Sequence, residues 1–490
     1  MSNQNNYKPT IGIECHVQLK TRTKLFAPVD NDSREASPNQ HISHICLGMP
    51  GALPVLNQSA IDLAARAAFA LGTKPQKYSA FDRKHYFYPD LPKGYQITQQ
   101  AHPIIKDGAI IITVEGEEKR IRIERAHLEE DAGKSTHPQV GDYSLVDLNR
   151  AGTPLLEIVS APDLHSAKEA REYARELYLR MRYAGVSEAD LYHGNMRFDV
   201  NVSVSKDDTL GTRTETKNLN SFRSVERAVE YETKRQTELL EKGQVIVQET
   251  RGWDDAKQRT TSQRSKEEAH DYRYFPEPDI PPVELSDAYI AEAEKNVPIM
   301  PDVIRQQLKN RNLQDEQIDI LVAFEIEDKN PYVDILLDET IDDKAVQSIA
   351  KLMIQVEIPR RSDDEKTKIA ELFSLDYRRQ LYLEVVKLQL DGQLSSTNAK
   401  GLLIDLLFSG AKPKNIRAYA DQQGYIQVSD TGQLAEIIDQ VIQENPKASN
   451  DVSAGEMKAV GFLVGCVMKA SHGKANPGLV KEMLVKKLQQ

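Results

Sequence analysis

Three segments in the first half of the chain alternate apolar and polar residues with a period of two. They span 11–20, 120–125 and 196–204. This pattern is typical of strands in a sheet that is buried on one face. The apolar positions of the first and third segments are Ile11, Ile13, Cys15, Val17, Leu19, Met196, Phe198, Val200, Val202 and Val204. The alternation therefore predicts an antiparallel sheet with one apolar face and one polar face.

Helices with recognisable ends lie between these strands. Ser166 and Glu169 form a capping-box pattern ahead of one helix. Ser221, or Asn220 before it, opens a longer helix that Gly243 closes. A sheet paired antiparallel and interrupted by helices predicts the α+β class.

Two breaks divide the chain into three expected domains. Four prolines within the segment 274–282 interrupt regular structure and predict a domain edge, and the glycine and proline at 409–413 predict a second one. Amphipathic helices are predicted at 364–375, 378–390, 430–444 and 454–469. The expected domains are 1–285, which contains the sheet, and the helical domains 286–408 and 409–490.

Composition indicates a globular protein of a reducing compartment. Hydrophobic residues make up 40% and charged residues 28% of the 490 positions, which excludes disordered and collagen-like classes. Cys15, Cys46 and Cys466 are odd in number and far apart, so they predict neither a disulfide framework nor a four-thiolate zinc site. The polar first ten residues lack the features of a signal or transit peptide. We expect a cytoplasmic protein without a membrane span, because no apolar run approaches about 20 residues.

The distribution of charge points to a basic C-terminal segment. A net charge of −11 argues against nucleic-acid binding, which needs local lysine and arginine. From 446 to 490, however, seven lysines stand against three acids. Lys458, Lys469 and Lys474 are the candidate phosphate contacts, and a solvated helix surface is the alternative.

The polar face of the predicted sheet concentrates acids. Glu14 and His16 lie side by side on the first strand, and Asp199 and Asn201 project together from the third. Three further acids, Glu129, Glu130 and Asp131, follow the strand at 120–125. A sheet face that carries Glu14, His16, Glu130 and Asp199 needs a cation, and oxygen ligands favour Mg²⁺. His16 is either a ligand or a hydrogen-bonding group behind the ligands, and a solvated strand face is the alternative.

Two other segments carry candidate chemistry. The segment 132–136 resembles the end of a phosphate-binding P-loop. Leu128 stands where that motif needs glycine, so we do not expect this segment to be a P-loop. The segment 81–89 mixes basic residues with aromatics and suits phosphate or RNA contact, with Lys84 as a phosphate contact or a gate. A buried aromatic turn is the alternative. No cysteine lies in an activating pattern, so the sequence shows no activated thiol nucleophile.

Long motifs in one order resemble the B subunit of the aspartyl/glutamyl-tRNA(Asn/Gln) amidotransferases. They are Ile11–Val17, Leu47–Pro54, Phe81–Lys84, Tyr86–Asp90, His127–Thr136, Leu148–Leu156, Lys217–Ser221 and Asp271–Asp279. The final segment, with Gly461–Gly465 and Ala475–Pro477, resembles the tail that this family shares with small YqeY-like proteins. The chain lacks room for the inserted domain of the archaeal relative, which favours the bacterial type.

This resemblance implies a fold, a reaction and partners. The fold is a cradle-shaped first domain with a kinase-like pocket, followed by a helical domain and a tail domain that help to hold tRNA. ATP and Mg²⁺ would activate the side-chain carboxylate of Glu-tRNA(Gln) or Asp-tRNA(Asn) as an acyl phosphate, which ammonia converts to an amide. The partners would be a glutaminase A subunit and a small C subunit.

Individual residues match the motifs of the family. Glu14, His16, Glu129 and Glu130 match its metal and phosphoryl-transfer pocket, and Lys84 matches its ammonia passage. Some members carry zinc-binding cysteines where this chain retains only Cys46, so zinc is not expected. Two other functions stay open: a tRNA-binding scaffold without chemistry of its own, and an ATP-dependent ligase that acts on a small acid.

Overall fold

The computed structural model of the chain describes most of its residues. The described ranges are 7–138, 140–265, 272–324, 331–361, 374–409, 411–427, 431–454, 456–471 and 475–489. The fold divides into two compact units, Met1–Asp302 and Val303–Gln490. The first is α+β and the second is helical, as the sequence predicts. Within the described residues, no helix is long and apolar enough to cross a membrane.

Strands dominate the first unit. They are β1 Lys8–Gln18, β2 Tyr78–His85, β3 Tyr95–His102, β4 Ile105–Val114, β5 Glu117–Glu130, β6 Lys134–Thr136, β7 Leu145–Asp147, β8 Pro154–Ser160, β9 Met196–Ser205, β10 Thr214–Leu219, β11 Glu249–Asp254, β12 Arg259–Ser265, β13 Phe275–Pro276 and β14 Val283–Glu284. The helices of this unit are α1 Gln58–Ala70, α2 Ala167–Tyr183, α3 Phe222–Glu241 and α4 Asp287–Lys295, with Pro301–Asn310 beginning at its end.

Eight strands form the main sheet, in the order β12-β11-β10-β9-β1-β8-β5-β4. The first strand lies near the centre and pairs antiparallel with β8 and β9. The pairing of β10 with β11 is parallel, which the sequence did not indicate. The short β13 and β14 pair with β2, and β3 pairs with β2 as well.

One face of the main sheet forms the core. The predicted apolar positions of β1 and β9 are all buried, and α1, α2 and α3 pack against β4, β9 and β10 around them. The predicted helix starts are confirmed: Ser166 accepts a hydrogen bond from the Glu169 amide, and Ser221 accepts one from the Ser224 amide. These caps satisfy amides that the first turn of a helix cannot pair internally.

The proline-rich segment is part of the first unit, as the expected domain 1–285 has it, but does not end that unit. Phe275 pairs with Arg83, and Val283 pairs with Ser79, so both ends of the segment add short strands to β2. The first unit continues to Asp302, past the boundary expected at 285. The division of the remainder into 286–408 and 409–490 stays a prediction.

The second unit consists of helices. They are Asp315–Ala323, Pro331–Leu336, Asp343–Leu352, a π-helical turn at Met353–Glu357, Ile358–Arg361, Leu375–Leu390, Ser396–Phe408, Ile416–Gln422, Thr431–Glu444, Pro446–Ser453, Lys458–Ala470 and Pro477–Leu488. The predicted helices at 378–390 and 430–444 are confirmed. The one at 364–375 lies almost wholly outside the described residues. The one at 454–469 begins later than predicted, at Lys458.

Candidate metal and substrate site on the polar sheet face

Strand register brings charged side chains into one row across the polar face. His16 of β1 lies opposite Glu157 of β8 and opposite Arg197 of β9. His127 of β5 flanks Glu157 from the other side. Because side chains directly across paired strands have Cβ atoms about 4.5–5.5 Å apart, residues that are far apart in sequence become neighbours here.

Three potential ligand side chains converge in this row. His16 Nε2 lies 3.6 Å from Glu129 Oε1 and 3.6 Å from Glu157 Oε2. The ligand atoms of these three residues all lie within 4.8 Å of one another. His127 Nε2 lies 3.3 Å from Glu157 Oε2, so a second imidazole orients that carboxylate from outside the cluster. We call His16, Glu129 and Glu157 the central cluster.

The charges of the central cluster shift the pKa values of its members. Burial lowers the pKa of His16, but the hydrogen bond to Glu157 and the charges of Glu157, Glu129 and Asp199 outweigh burial and raise this pKa to about 9. Burial raises the pKa of Glu157, yet His127 and His16 together hold it well below its usual range. A metal ion that binds His16 Nε2 therefore has to displace a proton.

Glu14 and its neighbours extend this charge along the sheet. Asn201 Nδ2 donates to Glu14 Oε1 at 3.0 Å, and Lys217 Nζ pairs with Asp199 at 3.1 Å. Burial raises the pKa of Glu14, and the charges of Glu157, Glu215 and Asp199 raise it further, while Lys217 opposes them. The predicted residues Glu14, Asp199 and Asn201 thus lie together beside the central cluster, in a field that favours a cation.

Lys84 lies at the end of β2 among tyrosines that face the same acids. Its Nζ is 5.1 Å from the ring centre of Tyr272 and 5.9 Å from that of Tyr86. Burial lowers the pKa of Lys84, but nearby groups, Glu129 first among them, outweigh it and raise this pKa.

The segment 81–89 is a strand only as far as His85 and continues as a loop, in which Phe87 is 80% and Tyr88 49% exposed. Its contact with phosphate or RNA stays a prediction.

Glu130 does not share the polar face on which it was expected, and its role in the site stays a prediction. Consecutive residues of a strand project to opposite faces, and Glu130 lies on the side of β5 that carries the buried Leu128. Its carboxylate forms an ion pair with Lys93 and accepts a hydrogen bond from the Ile97 amide at 3.0 Å. Glu130 therefore ties β3 to the end of β5, next to Glu129.

Two members of the row were not predicted from the sequence. Glu157 is the one acid in β8, between Leu156 and Ile158, and a charged residue within an otherwise apolar strand is a signal that could have found it. His127 begins one of the motifs that match the family, but the sequence pattern predicts no role for it. Their proximity to His16 depends on which strands pair, and that pairing is not local in sequence.

Two smaller expectations concern the neighbouring loops. A P-loop is followed by a helix, but the P-loop-like segment runs into strand β6, which pairs with β7.

The surroundings of Cys46 concern the expected absence of zinc. Lys24 Nζ donates to the backbone oxygens of His41 and Ala151 at 2.7 Å and lies 3.6 Å from Cys46 Sγ. The absence of zinc stays a prediction.

The donor set of the central cluster fits a divalent cation. One imidazole nitrogen and two carboxylates offer three protein ligands, which leaves further coordination positions for water or substrate oxygens. Carboxylates and substrate phosphates suit Mg²⁺, and the imidazole would also admit manganese or zinc. Nearby acids raise the pKa of His16 in spite of its burial, so the surroundings stabilise positive charge at this point.

Family models match both units of the chain. Residues 9–291 match the model described as the GatB/GatE catalytic domain, and residues 335–488 match the model described as the GatB domain. The chain belongs to the GatB/GatE family. The catalytic-domain match contains every residue of the central cluster, together with Glu14, Lys84, Asp199 and Asn201.

Relatives in this family align over the whole chain. Three of them are named as the B subunit of an aspartyl/glutamyl-tRNA(Asn/Gln) amidotransferase. The protein of Caldicellulosiruptor saccharolyticus is 44% identical over 490 residues, which cover 99% of each chain. The protein of Persephonella marina is 43% identical over 481 residues and 98% of each chain. The protein of Thermotoga maritima is 42% identical over 494 residues and 99% of each chain.

The GatB domain match includes the basic C-terminal segment. Lys458 and Lys469 are exposed on the helix Lys458–Ala470, and their spacing of about three turns places them on one side of it. Phe462, 58% exposed, lies on the same side. The buried residues of the opposite side are Val460, Leu463 and Val467. Lys474 lies outside the described residues.

Proposed function

We propose that this chain is the component of a tRNA-dependent amidotransferase that activates the side-chain carboxylate of Glu-tRNA(Gln), Asp-tRNA(Asn) or both. The enzyme would be a carbon–nitrogen ligase that uses glutamine as the source of nitrogen. The observation that carries this proposal is the central cluster, His16, Glu129 and Glu157, inside the region that matches the GatB/GatE catalytic domain. The names of the full-length relatives support it.

The reaction needs activation because oxide is a prohibitive leaving group from a carboxylate. Attack of a carboxylate oxygen on the γ-phosphorus of ATP forms an acyl phosphate and releases ADP, and ammonia then displaces phosphate to leave the amide. His16, Glu129 and Glu157 would hold Mg²⁺, which neutralises the phosphate oxygens during transfer. Glu14 and Asp199 add negative charge behind this site, and Glu130 fixes the end of β5 that carries Glu129.

Ammonia would reach the acyl phosphate past Lys84. Tyr86 and Tyr272 flank Lys84. In this proposal they would limit the access of water, because an acyl phosphate hydrolyses where water has access. A glutaminase A subunit, held with a small C subunit, would release the ammonia. Cys15 and Cys46 of this chain are buried, which suits neither for attack on glutamine.

The basic helix face of the tail supports a contact with tRNA. Lys458 and Lys469 would each face a phosphate, and Phe462 between them offers a ring to a base or sugar. Lys474 is included in this proposal from the sequence. Translation enzymes act where tRNA is charged, so the proposed location is the cytoplasm.

Consumption of ATP under three conditions tests this function. The full chain, assembled with its A and C subunits, is supplied with ATP, Mg²⁺ and glutamine. We expect phosphate release with Glu-tRNA(Gln) or Asp-tRNA(Asn), and background release with uncharged tRNA or with free glutamate. Equal release with free glutamate would indicate a small-acid ligase. Tight binding of charged tRNA without phosphate release would indicate a scaffold.

A further inference from the structure

A buried lysine contacts a buried cysteine in the loops that follow β1. Lys24 is 1% exposed and Cys46 is 6% exposed. Lys24 Nζ lies 3.6 Å from Cys46 Sγ, although the two residues are 22 positions apart in the sequence. Lysine is rarely buried, because removing an ammonium group from water costs free energy. Neither residue has a part in the proposed function, so the contact needs an explanation of its own.

Backbone carbonyl groups hold the amino group of Lys24 beside the sulfur. Lys24 Nζ donates to the backbone oxygens of His41 and Ala151 at 2.7 Å and to that of Leu148 at 3.5 Å. Burial holds the pKa of Lys24 below its ordinary value of 10.5, although the Cys46 thiol opposes this. A lowered pKa increases the share of neutral amine, which is the nucleophilic form of lysine.

The sulfur of Cys46 is held in place from a second side. Ser43 Oγ donates to Cys46 Sγ at 3.4 Å, and the Cys46 amide donates to Ser43 Oγ at 3.2 Å. His44 is exposed, and Ser43 and Ile45 are half-buried. The sulfur therefore lies beneath a turn that faces solvent, where an oxidant as small as hydrogen peroxide can approach it.

We propose that hydrogen peroxide joins Lys24 to Cys46 through a covalent nitrogen–sulfur bond. In the first step, the Cys46 sulfur attacks one peroxide oxygen, which gives a sulfenic acid and releases water. In the second step, the lone pair of Lys24 Nζ attacks the sulfur and the sulfur–oxygen bond breaks. The hydroxide that leaves takes a proton from the nitrogen and becomes a second water. The sulfur loses two electrons in total, and the peroxide gains them.

The bond is reversible by thiols. A thiolate attacks the sulfur of Cys46, the nitrogen–sulfur bond breaks, and the Lys24 nitrogen takes up a proton. A second thiol then releases Cys46 from the mixed disulfide. Lys24 and Cys46 thus form a redox-sensitive pair, in which the amine protects the sulfenic acid from further oxidation to the irreversible sulfinic acid.

The bond also changes what holds the loop between β7 and β8. The linked nitrogen keeps one hydrogen, so it can donate to only one of the three carbonyl groups. Two of these groups, at Leu148 and Ala151, belong to this loop. The Gly152 amide of the same loop donates to the backbone oxygen of Asp131 at 2.9 Å. We expect oxidation to loosen the loop, and its amide hydrogens to exchange with deuterium several-fold faster.

Peptide mapping of the full chain after treatment with hydrogen peroxide tests the proposal. The chain is oxidised in the folded state, unfolded, alkylated at free thiols and digested with trypsin. We expect the peptides that carry Lys24 and Cys46 to be joined, with a mass two hydrogen atoms below their sum. Trypsin should no longer cut after Lys24, because its amine is blocked. Dithiothreitol should restore the cut.

Three variants serve as controls. Cys46→Ser removes the sulfur, and Lys24→Arg keeps the positive charge but replaces the amine with a guanidinium that stays protonated, so neither should form the link. Cys466→Ser should form it as the unaltered chain does. In the linked chain, exchange should be faster in 148–153 and unchanged in the helix Ala167–Tyr183.

Two results would overturn the proposal. One is Cys46 recovered as sulfinic acid or as alkylated thiol while trypsin cuts normally after Lys24. The other is an equal yield of the link in chain that was unfolded in urea before oxidation, since folded proximity would then not drive the reaction. Both are measured on the unaltered chain, so they decide the proposal even if the variants at 24 or 46 do not fold.

Discussion

The two faces of the eight-stranded sheet are built from the same strands but differ in what their side chains contact. On one face, residues such as Ile13 and Phe198 are fully buried beneath helices. On the other, His16 and Glu157 lie among paired charges. Burying a charge costs free energy unless it is paired, so the charged face contributes less to stability than the apolar one. The difference indicates that the apolar face holds the fold, and it leaves the polar face as the proposed place of the chemistry.

Glu129 and Glu130 show this difference within two consecutive residues. Glu129 faces His16 on the polar side, while Glu130 forms an ion pair with Lys93 on the other. The same side chain, placed one residue further along a strand, changes from a candidate metal ligand to a structural anchor. Substitutions at the two positions should therefore have different consequences.

The largest expected effect separates these two glutamates. Glu129→Gln should lower the rate of phosphoryl transfer at saturating substrates by about a hundredfold or more, because a metal-holding charge is lost, and should leave stability nearly unchanged. Glu130→Gln should lower the free energy of unfolding by about 3 kcal/mol, because Lys93 is left buried without its partner. Urea unfolding of both variants measures the change in stability, and single-turnover kinetics measures the change in the rate of phosphoryl transfer. A hundredfold rate loss in Glu130→Gln with normal stability would contradict the division.

A second substitution tests the apolar face next to a residue of the central cluster. Ile158 is fully buried and adjoins Glu157. Ile158→Ala should cost about 3 kcal/mol of unfolding free energy through the cavity that it creates. The transfer rate of the folded fraction, measured well below the melting temperature, should stay near that of the unaltered chain. A large rate loss at full folding would show that the two faces do not act separately.

The helix of the tail repeats the comparison on a smaller scale, with buried valines on one side and Lys458 and Lys469 exposed on the other. Lys458→Gln with Lys469→Gln should weaken tRNA binding several-fold. Each lost phosphate contact should reduce the slope of log affinity against log salt by about 0.7–0.9. Lys487→Gln is the control, since Lys487 pairs with Asp439. The affinity for tRNA is measured by titration at four salt concentrations, and identical slopes for all variants would exclude these contacts.

The smallest expected effect concerns an exposed ion pair between Arg34 and Asp32. Hydrogen bonds from Arg34 lower the pKa of Asp32 to about 2. A carboxyl whose pKa is lowered on folding stabilises the chain above its ordinary pKa of 3.8, and this contribution is lost as pH falls toward 2. Because Asp32 is 55% exposed, solvent limits the contribution to about 1 kcal/mol or less. Arg34→Gln should lose this amount at pH 6 and only a small part of it at pH 2, where Asp32 is half protonated in the folded chain. A difference that grows on acidification would contradict this assignment.

Local pattern was sufficient to predict the framework of the first unit. The alternation in β1 and β9 and the caps at Ser166 and Ser221 depend on residues close in sequence, and all four are confirmed. The same alternation predicted that Glu14, His16, Asp199 and Asn201 lie on the polar side of β1 and β9. Because these two strands pair, the four side chains share one face.

Features that depend on distant pairing were missed. Glu157 joins His16 only because β8 pairs with β1, and the chain continues in the first unit past the proline-rich segment, whose ends pair with β2. Nothing in the local sequence indicates either partner. Glu130 is different, because strand alternation already separates it from Glu129, so the sequence pattern itself argued against placing Glu130 on the polar face.

Transfer of an isotope from substrate to product tests the central claim most directly. Glu-tRNA(Gln) with ¹⁸O in both oxygens of its side-chain carboxylate is converted by the enzyme with ATP, Mg²⁺ and glutamine, and the released phosphate is analysed by mass spectrometry. An acyl phosphate formed on the polar face predicts one ¹⁸O atom in each phosphate released per amide formed. Amide formation accompanied by phosphate free of ¹⁸O would show that the carboxylate is not phosphorylated, and would contradict the account.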